Sequence, residues 1–326
     1  MLALLMLTAA LLSFVDCVRA LEVQGHRGAR GLWPENTLAG FAGALGVGVD
    51  VLELDTGLSR DGVVVVAHDS RLNPALTRDA DGAWLTSSGP PLRQLTFAGL
   101  QQFDVGRALP GSGLARRFPY QRTADGAKIP HLQQVFDLVE RAGAVSVRFN
   151  VEIKIRPDRS SVFATPEVAA LAVIEAIRRA RVEARTTIQG FDWRALRAAR
   201  KLAPNIATAA LSAQQSWFDN IEADRIGVSA WTDGYDVDDY SGSVPHLVHA
   251  SGANIWSPFW RDVNARSIAQ AHALGLKVSV WTVNDPRDMQ SMLRLGVDSI
   301  ITDYPDRLRA VLIGRGLRVP RKYVEK

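Results

Sequence analysis

The stretch "VDVLELDTGLSRDGVVVVAHD", residues 49–69, holds two β-branched extended runs, and each ends on ionisable side chains. Strand side chains alternate with period two, so Glu53 and Asp55 share one face and Leu54 takes the other. "RFNVEIKI", residues 148–155, repeats the pattern with Glu152 and Lys154. His68 and Asp69 close the second run. A lone E-x-D is usually a solvated strand end. A series of strands whose last residues are all of this kind points to one shared mouth.

Working outward, "VQGHRGARGLWPENT", residues 23–37, is a short strand that ends on His26 and Arg27. Leu38, Phe41, Ala42 and Leu45 then recur at helical spacing, in a helix that either Asn36 or Thr37 caps. Beyond residue 148 the alternation is regular: "RTTIQGF", "NIATAAL", "ANIWSP", "LKVSVWTVND" and "VDSIITD" read as strands. Helical patterns separate them, among them a stripe of Val168, Leu171, Ile174 and Ile177 and one of Met289, Met292 and Leu293. Strands separated by helices imply a parallel sheet. About eight such units fit a (β/α)8 TIM barrel of ~250 residues with room for insertions. A doubly wound open sheet is the main rival, weakened because no GxGxxG follows the first strand. The expected layout is one α/β domain over 21–326, with a small insertion at about 71–130 marked by "PALTRDADG", "SSGPP" and "LPGSG". The stretch from about 212 to 251 is polar and aromatic and gives no clear element.

Lys plus Arg exceed Asp plus Glu by 38 − 34 = 4. That excess suits a small anionic substrate but is too small to carry an argument, and no basic block suggests a nucleic-acid footprint. Residues 1–20, "MLALLMLTAALLSFVDCVRA", read as a secretory signal peptide, with an apolar run shorter than the ~20 residues a spanning helix needs. Export to a periplasm or the medium is the expectation, without stable membrane insertion once the leader is gone. If the N-terminus is no signal, the protein is cytoplasmic. The single cysteine, Cys17, falls inside this leader, which leaves no thiol for a disulfide, a thiolate metal site or a nucleophile. The oligomeric state is left open.

The polar residues at the strand ends make a chemical set. Three carboxylates converging in a low-dielectric mouth repel one another unless a cation sits among them. An all-oxygen ligand set suits Mg²⁺ or Ca²⁺ rather than Zn²⁺. Two histidines, an arginine and a lysine beside such an ion are what a phosphodiesterase requires. Cations neutralise charge developing on phosphoryl oxygens, while one histidine takes a proton and the other gives one. No G-x-S-x-G elbow or zinc-binding histidine pair supports acyl transfer or zinc hydrolysis.

"GHRGARGLWPENTLAGF", "GVDVLELDTGLSRDGVVVVAHD", "NVEIK", "TIQGF", "WTVND" and "GVDSIITDYPD" together resemble the glycerophosphodiester phosphodiesterase family, over nearly the whole chain after the leader. The resemblance implies a TIM barrel that hydrolyses glycerophosphodiesters to sn-glycerol 3-phosphate and an alcohol. It implies His26 and His68 as the acid/base pair, and Glu53, Asp55 and Glu152 as holders of one divalent cation. Arg27 and Lys154 match the family's phosphate-binding cations, and Trp281 the glycerol side. Glu35, Gln189 and Asn284 would support these groups from behind. Gly190 stands where a serine is common, which bears on substrate preference. Two other readings keep the barrel: a phospholipase D-like or phosphoinositide-cleaving enzyme, and a non-catalytic glycerophosphodiester-binding protein.

Overall fold

The computed structural model describes residues 21–159 and 161–324. The expected leader lies outside them. Eight parallel strands form the barrel: β1 (Glu22–Gly25), β2 (Val51–Leu58), β3 (Arg148–Ile153), β4 (Thr186–Gly190), β5 (Ala207–Ser212), β6 (Ile255–Pro258), β7 (Lys277–Val280) and β8 (Ser299–Thr302). Each strand pairs with the next in chain order. β1 also pairs with β8, Glu22 opposite Ser299, and so closes the sheet. Closure removes both sheet edges. The eight parallel strands establish the TIM barrel and exclude the open sheet.

Val23, Leu52, Leu54, Val151, Ile188, Val278 and Ile300 are fully or almost fully buried between the barrel and its helices. Leu54 faces this layer, while Glu53 and Asp55 face the barrel interior, as period two requires. The helix Leu38–Val47 follows β1 and buries Phe41, Ala44 and Leu45. Its N-cap is Thr37, whose Oγ1 accepts from the Gly40 amide at 3.0 Å. The sequence left Asn36 and Thr37 as rival caps. Thr37 takes that role, which frees the Asn36 side chain for another.

The helix Pro166–Ala180 departs from the expected stripe. Val168 and Leu171 are 51% and 43% exposed, and the buried face is Ala169, Ala170, Val173, Ile174 and Ile177. The small alanines let a neighbouring helix approach closely, so the packed face is rotated from the one the bulky residues suggested. The run ending at His68 contributes the strand Val64–Val66, which lies antiparallel on β2, with Thr56 opposite Val66. It is a hairpin arm outside the barrel, and it delivers His68 to the mouth. Between it and the helix Leu132–Arg141, short helical turns pack around Val65, Leu72, Leu92, Leu100 and Ile129, a small hydrophobic cluster apart from the main core. The stretch after β5 holds a two-stranded hairpin, Gln214–Gln215 with Phe218–Asp219, and a helix, Val244–Ala250. Neither announces itself in the sequence, because the strands are two residues long and the helix is a short, proline-initiated one. Among the described residues no helix is long and apolar enough to cross a membrane.

Candidate active site

The carboxyl ends of the strands gather the ionisable residues. β1 ends on Gly25, and only glycine fits there, because a side chain would meet the Gly28 carbonyl oxygen at 2.0 Å. Arg27 then adopts φ of 51° and Gly28 of 89°, a left-handed turn that glycine accepts without strain and other residues rarely enter. The turn aims the Arg27 amide at Glu53 Oε2, 2.8 Å away. Glu53 Oε1 accepts from Gln189 Nε2 on β4, also at 2.8 Å. Asn36 Nδ2 donates to Asp55 Oδ2 at 2.9 Å. Each carboxylate on β2 is therefore held in a fixed orientation by a neighbouring element.

Glu53, Asp55 and Glu152 form a buried group in which one carboxylate oxygen from each lies within 4.8 Å of the others. Lys154 Nζ is 2.9 Å from Glu152 Oε1 and 3.5 Å from Asp55 Oδ1. Burial pushes the Glu53 carboxyl well up, with Asp55 and Glu152 adding repulsion. Burial also raises Glu152, to about 7, against the pull of Lys154. Burial works to raise Asp55 too, but Arg27 and Lys154 outweigh it and hold that carboxyl well below the ordinary range. Glu53 and Glu152 are thus the carboxyls whose ionised form the protein alone supports least, and a divalent cation between them would supply the missing positive charge. Buried, oriented, all-oxygen donors fit a hard cation.

Arg27 Nη1 donates to Glu35 Oε1 at 2.7 Å. Its Nε is buried 3.1 Å from Asp55 Oδ2 with no aligned hydrogen bond. Glu35 also lies 3.5 Å from Arg30 Nη1. Burial works to raise Glu35, but Arg27 and Arg30 more than offset it, so it stays ionised.

Both histidines are backed by aspartates. His26 Nδ1 is 2.6 Å from Asp303 Oδ1, and Asp303 is fixed in turn by Arg30 Nε at 3.0 Å and Asn284 Nδ2 at 2.7 Å. His68 Nδ1 is 2.8 Å from Asp69 Oδ1, and Asn73 Nδ2 donates to Asp69 Oδ2 at 2.7 Å. Burial lowers His26 to about 4, with Arg30 and Arg27 adding to the effect against the pull of Asp303. His68 is also lowered, by burial first and then by Arg27 and Lys154. Burial would raise Asp69, yet its bonds from His68 and Asn73 hold it at about 2. A carboxylate only accepts, so each neutral histidine carries its proton on Nδ1 and leaves Nε2 bare. His26 Nε2 faces Glu53 Oε2 at 3.9 Å.

His26, Arg27, Glu35, Glu53, His68, Glu152, Lys154, Gln189 and Trp281 all line one cavity. Asp55 lies beneath it, bonded to Asn36. Asn284 is reached through Asp303. Five participants had no role assigned from the sequence: Arg30 and Asp303 carry the His26 contact, Asp69 and Asn73 the His68 contact, and Asn36 orients Asp55. The strand-end position of Asp303 was the available signal. Its pairing with a residue 277 positions away was not.

A profile of the glycerophosphoryl diester phosphodiesterase family matches residues 26–307, from the turn after β1 to the first residues of the last helix, Pro305–Gly314. The chain belongs to this family. A glycerophosphodiester phosphodiesterase from Caldanaerobacter subterraneus subsp. tengcongensis is 28% identical over 287 residues, 88% of this chain and 95% of its own. One from Bacillus altitudinis is 27% identical over 289 residues, 88% and 96% of the two chains. A crystal structure bearing the same family name, from Silicibacter pomeroyi DSS-3, is 37% identical and superposes with a TM-score of 0.82 over 92% of this chain and 96% of that one. An Oleispira antarctica phosphodiesterase, solved in complex with its product sn-glycerol-3-phosphate, shares the fold at 22% identity, with a TM-score of 0.65 over 90% and 97% of the two chains. The enzyme is a glycerophosphodiester phosphodiesterase, and its buried triad of carboxylates is able to hold a metal ion.

Proposed function

We propose that the enzyme cleaves glycerophosphodiesters to sn-glycerol 3-phosphate and an alcohol, with His26 and His68 as the acid/base pair. The observation that carries this reading is the paired arrangement of the histidines: each is locked by an aspartate with Nε2 free, and both border the cavity above Glu53 and Glu152. The product named for the Oleispira antarctica structure agrees with it.

Glu53, Asp55 and Glu152 would hold one Mg²⁺ or Ca²⁺. When bound, such an ion supplies Lewis-acid neutralisation of charge on the phosphoryl oxygens. Arg27 and Lys154 bind the diester anion and stabilise the charge that grows on it in the transition state. His26, the deeper of the two and neutral at physiological pH, takes on Nε2 a proton of the water that attacks phosphorus. His68 is a third exposed and stands where the alcohol can leave to solvent. It gives its proton to the departing alkoxide, the diester anion having first raised its proton affinity. Glu35 and Gln189 fix Arg27 and Glu53, and Asn284 fixes Asp303. Trp281, whose Nε1 donates to the Ser257 carbonyl at 2.9 Å, offers its ring to the glycerol carbons. The apolar run of residues 1–20 supports export with removal of that leader.

The reading is tested by following glycerol 3-phosphate release from glycerophosphoglycerol by wild-type, H26A and H68A proteins loaded with ion. Both variants are expected to lose roughly 10²–10⁴ in turnover and to bind the ion as the wild type does. Wild-type turnover in either variant contradicts the assignment.

A further inference from the structure

The cavity above the carboxylates measures about 790 Å³, more than a glycerol phosphate joined to a small alcohol can fill. Its two halves differ in chemistry. The acidic lining residues, Glu35, Glu53, Asp69 and Glu152, all belong to the side built by β1 to β3 and the hairpin arm. The opposite side, built after β4 to β7, is a wall of six aromatic rings: Phe191, Trp217, Phe218, Trp231, Phe259 and Trp281. They interlock edge to face, with centroids 5.3 Å apart for Phe191–Trp281, 5.4 Å for Phe259–Trp281, 5.3 Å for Trp217–Phe259 and 5.2 Å for Phe218–Trp231.

Trp217 is 60% exposed, an unusual position for so large an apolar ring. It sits at the turn of the Gln214–Gln215/Phe218–Asp219 hairpin, and side chains brace both strands at the base of that hairpin. Asp262 accepts from the Gln214 amide at 2.8 Å, and Asp219 Oδ1 accepts from the Ile221 and Glu222 amides at 2.9 and 2.8 Å. A braced ring that leaves apolar surface open beside a reaction centre is complementary to an apolar ligand.

We propose that this wall is a subsite for a hydrocarbon substituent carried by the phosphodiester, either on the glycerol or on the alcohol. The proposal rests on the reading of function above and narrows its substrate class. A quaternary ammonium would be the other natural guest of an aromatic wall. Here the Arg156 guanidinium already lies 5.0 Å above the Trp231 ring, and no lining carboxylate stands on that side. The electrostatics therefore favour a neutral guest.

The test compares four sn-glycero-3-phosphodiesters: the methyl ester, the n-butyl ester, the choline ester, and the methyl ester with an n-butyl ether on glycerol O1. All are too short-chained to form micelles at assay concentrations. kcat/KM is measured with ion-loaded wild-type, W217A and W217F proteins, and Kd by calorimetry on the H26A variant and on H26A/W217A. Each buried methylene is worth roughly a fourfold change in binding, so one butyl arm is expected to gain at least tenfold over the methyl ester in both readouts. The arm that gains tells which end of the diester meets the wall. W217A is expected to cut that gain to about threefold or less, and W217F to keep most of it. Equal Kd and kcat/KM across the methyl and butyl compounds overturns the proposal, as does a choline ester that gains as much as the butyl ester. Because Kd is read without turnover, tight butyl binding with no cleavage of any diester by wild type would defeat the functional reading and leave the subsite standing.

Discussion

His26 Nδ1 lies 2.6 Å from Asp303 Oδ1, across the seam where β8 meets β1. The contact fixes the imidazole tautomer as well as its orientation, because a carboxylate accepts and never donates. Arg30 and Asn284 hold the carboxylate from its other sides. Replacing Asp303 by Asn removes the charge that favours proton uptake by His26. The same Asp-to-Asn change behind the histidine base of a Ser-His-Asp triad costs about 10⁴ in kcat through the wrong tautomer, so D303N is expected to lower kcat by roughly 10²–10⁴. Nitrogen-15 NMR of the ring reads the cause directly: the neutral wild-type imidazole is expected to carry its proton on Nδ1, and D303N to populate the other tautomer.

The role given to His68 makes activity depend on the leaving group. H68A is expected to lose roughly 10²–10⁴ on alkyl diesters. On a p-nitrophenyl diester, whose leaving group departs as a stable anion, the loss is expected to shrink to about tenfold or less. H26A is expected to lose comparably on both. Stopped assays with the two substrate types separate these outcomes.

Ion binding is expected to be coupled to protons. In the ion-free protein Glu152 has a proton affinity raised from the ordinary 4.5 to about 7, with burial the main cause. The site is therefore largely protonated at pH 6, and a cation must displace that proton. Affinity for Mg²⁺ or Ca²⁺ is expected to rise about tenfold from pH 6 to pH 8. Calorimetry in two buffers of different ionisation enthalpy reads the proton released. The same raised value bears on stability: above pH 4.5 the unfolded chain has given up this proton while the folded one keeps it. The ion-free protein thus loses a contribution to stability as pH rises from about 4.5 to 7, and added ion is expected to restore it.

Gly25 tests the backbone turn on which the site depends. A methyl group there would stand 2.0 Å from the Gly28 carbonyl oxygen, a contact that backbone movement alone relieves. G25A is expected to cost about 2 kcal/mol or more. It is also expected to weaken ion binding, since the same turn aims the Arg27 amide at Glu53. Urea unfolding and calorimetry check the two effects separately.

The parts of this site that the sequence made legible obey short-range rules. Period two sends Glu53 and Asp55 to one face and Leu54 to the other, and repeats at Glu152 and Lys154. The barrel follows from strand–helix alternation. What stayed hidden depends on contacts across the chain. Asp303 stands at a strand end like the others, but its bond to His26 exists only because β8 closes on β1. Asn36 reads as a possible cap, and only the turn at Arg27 shows that its amide orients Asp55. Val168 and Leu171 look like a core stripe, yet close helix packing favours Ala169 and Ala170. The aromatic wall draws on four separate loops, and no local pattern joins Phe191 to Trp217 or Phe259.

The most direct measurement is an add-back assay. Protein stripped with chelator is mixed with glycerophosphocholine, and glycerol 3-phosphate is followed as Mg²⁺ or Ca²⁺ is returned, with E152Q alongside. Release is expected to be absent in chelator, to be restored by one of the ions in the wild type, and to need far more ion in E152Q. Full release in excess chelator would contradict the account of the three carboxylates, and so would no release with either ion from folded protein.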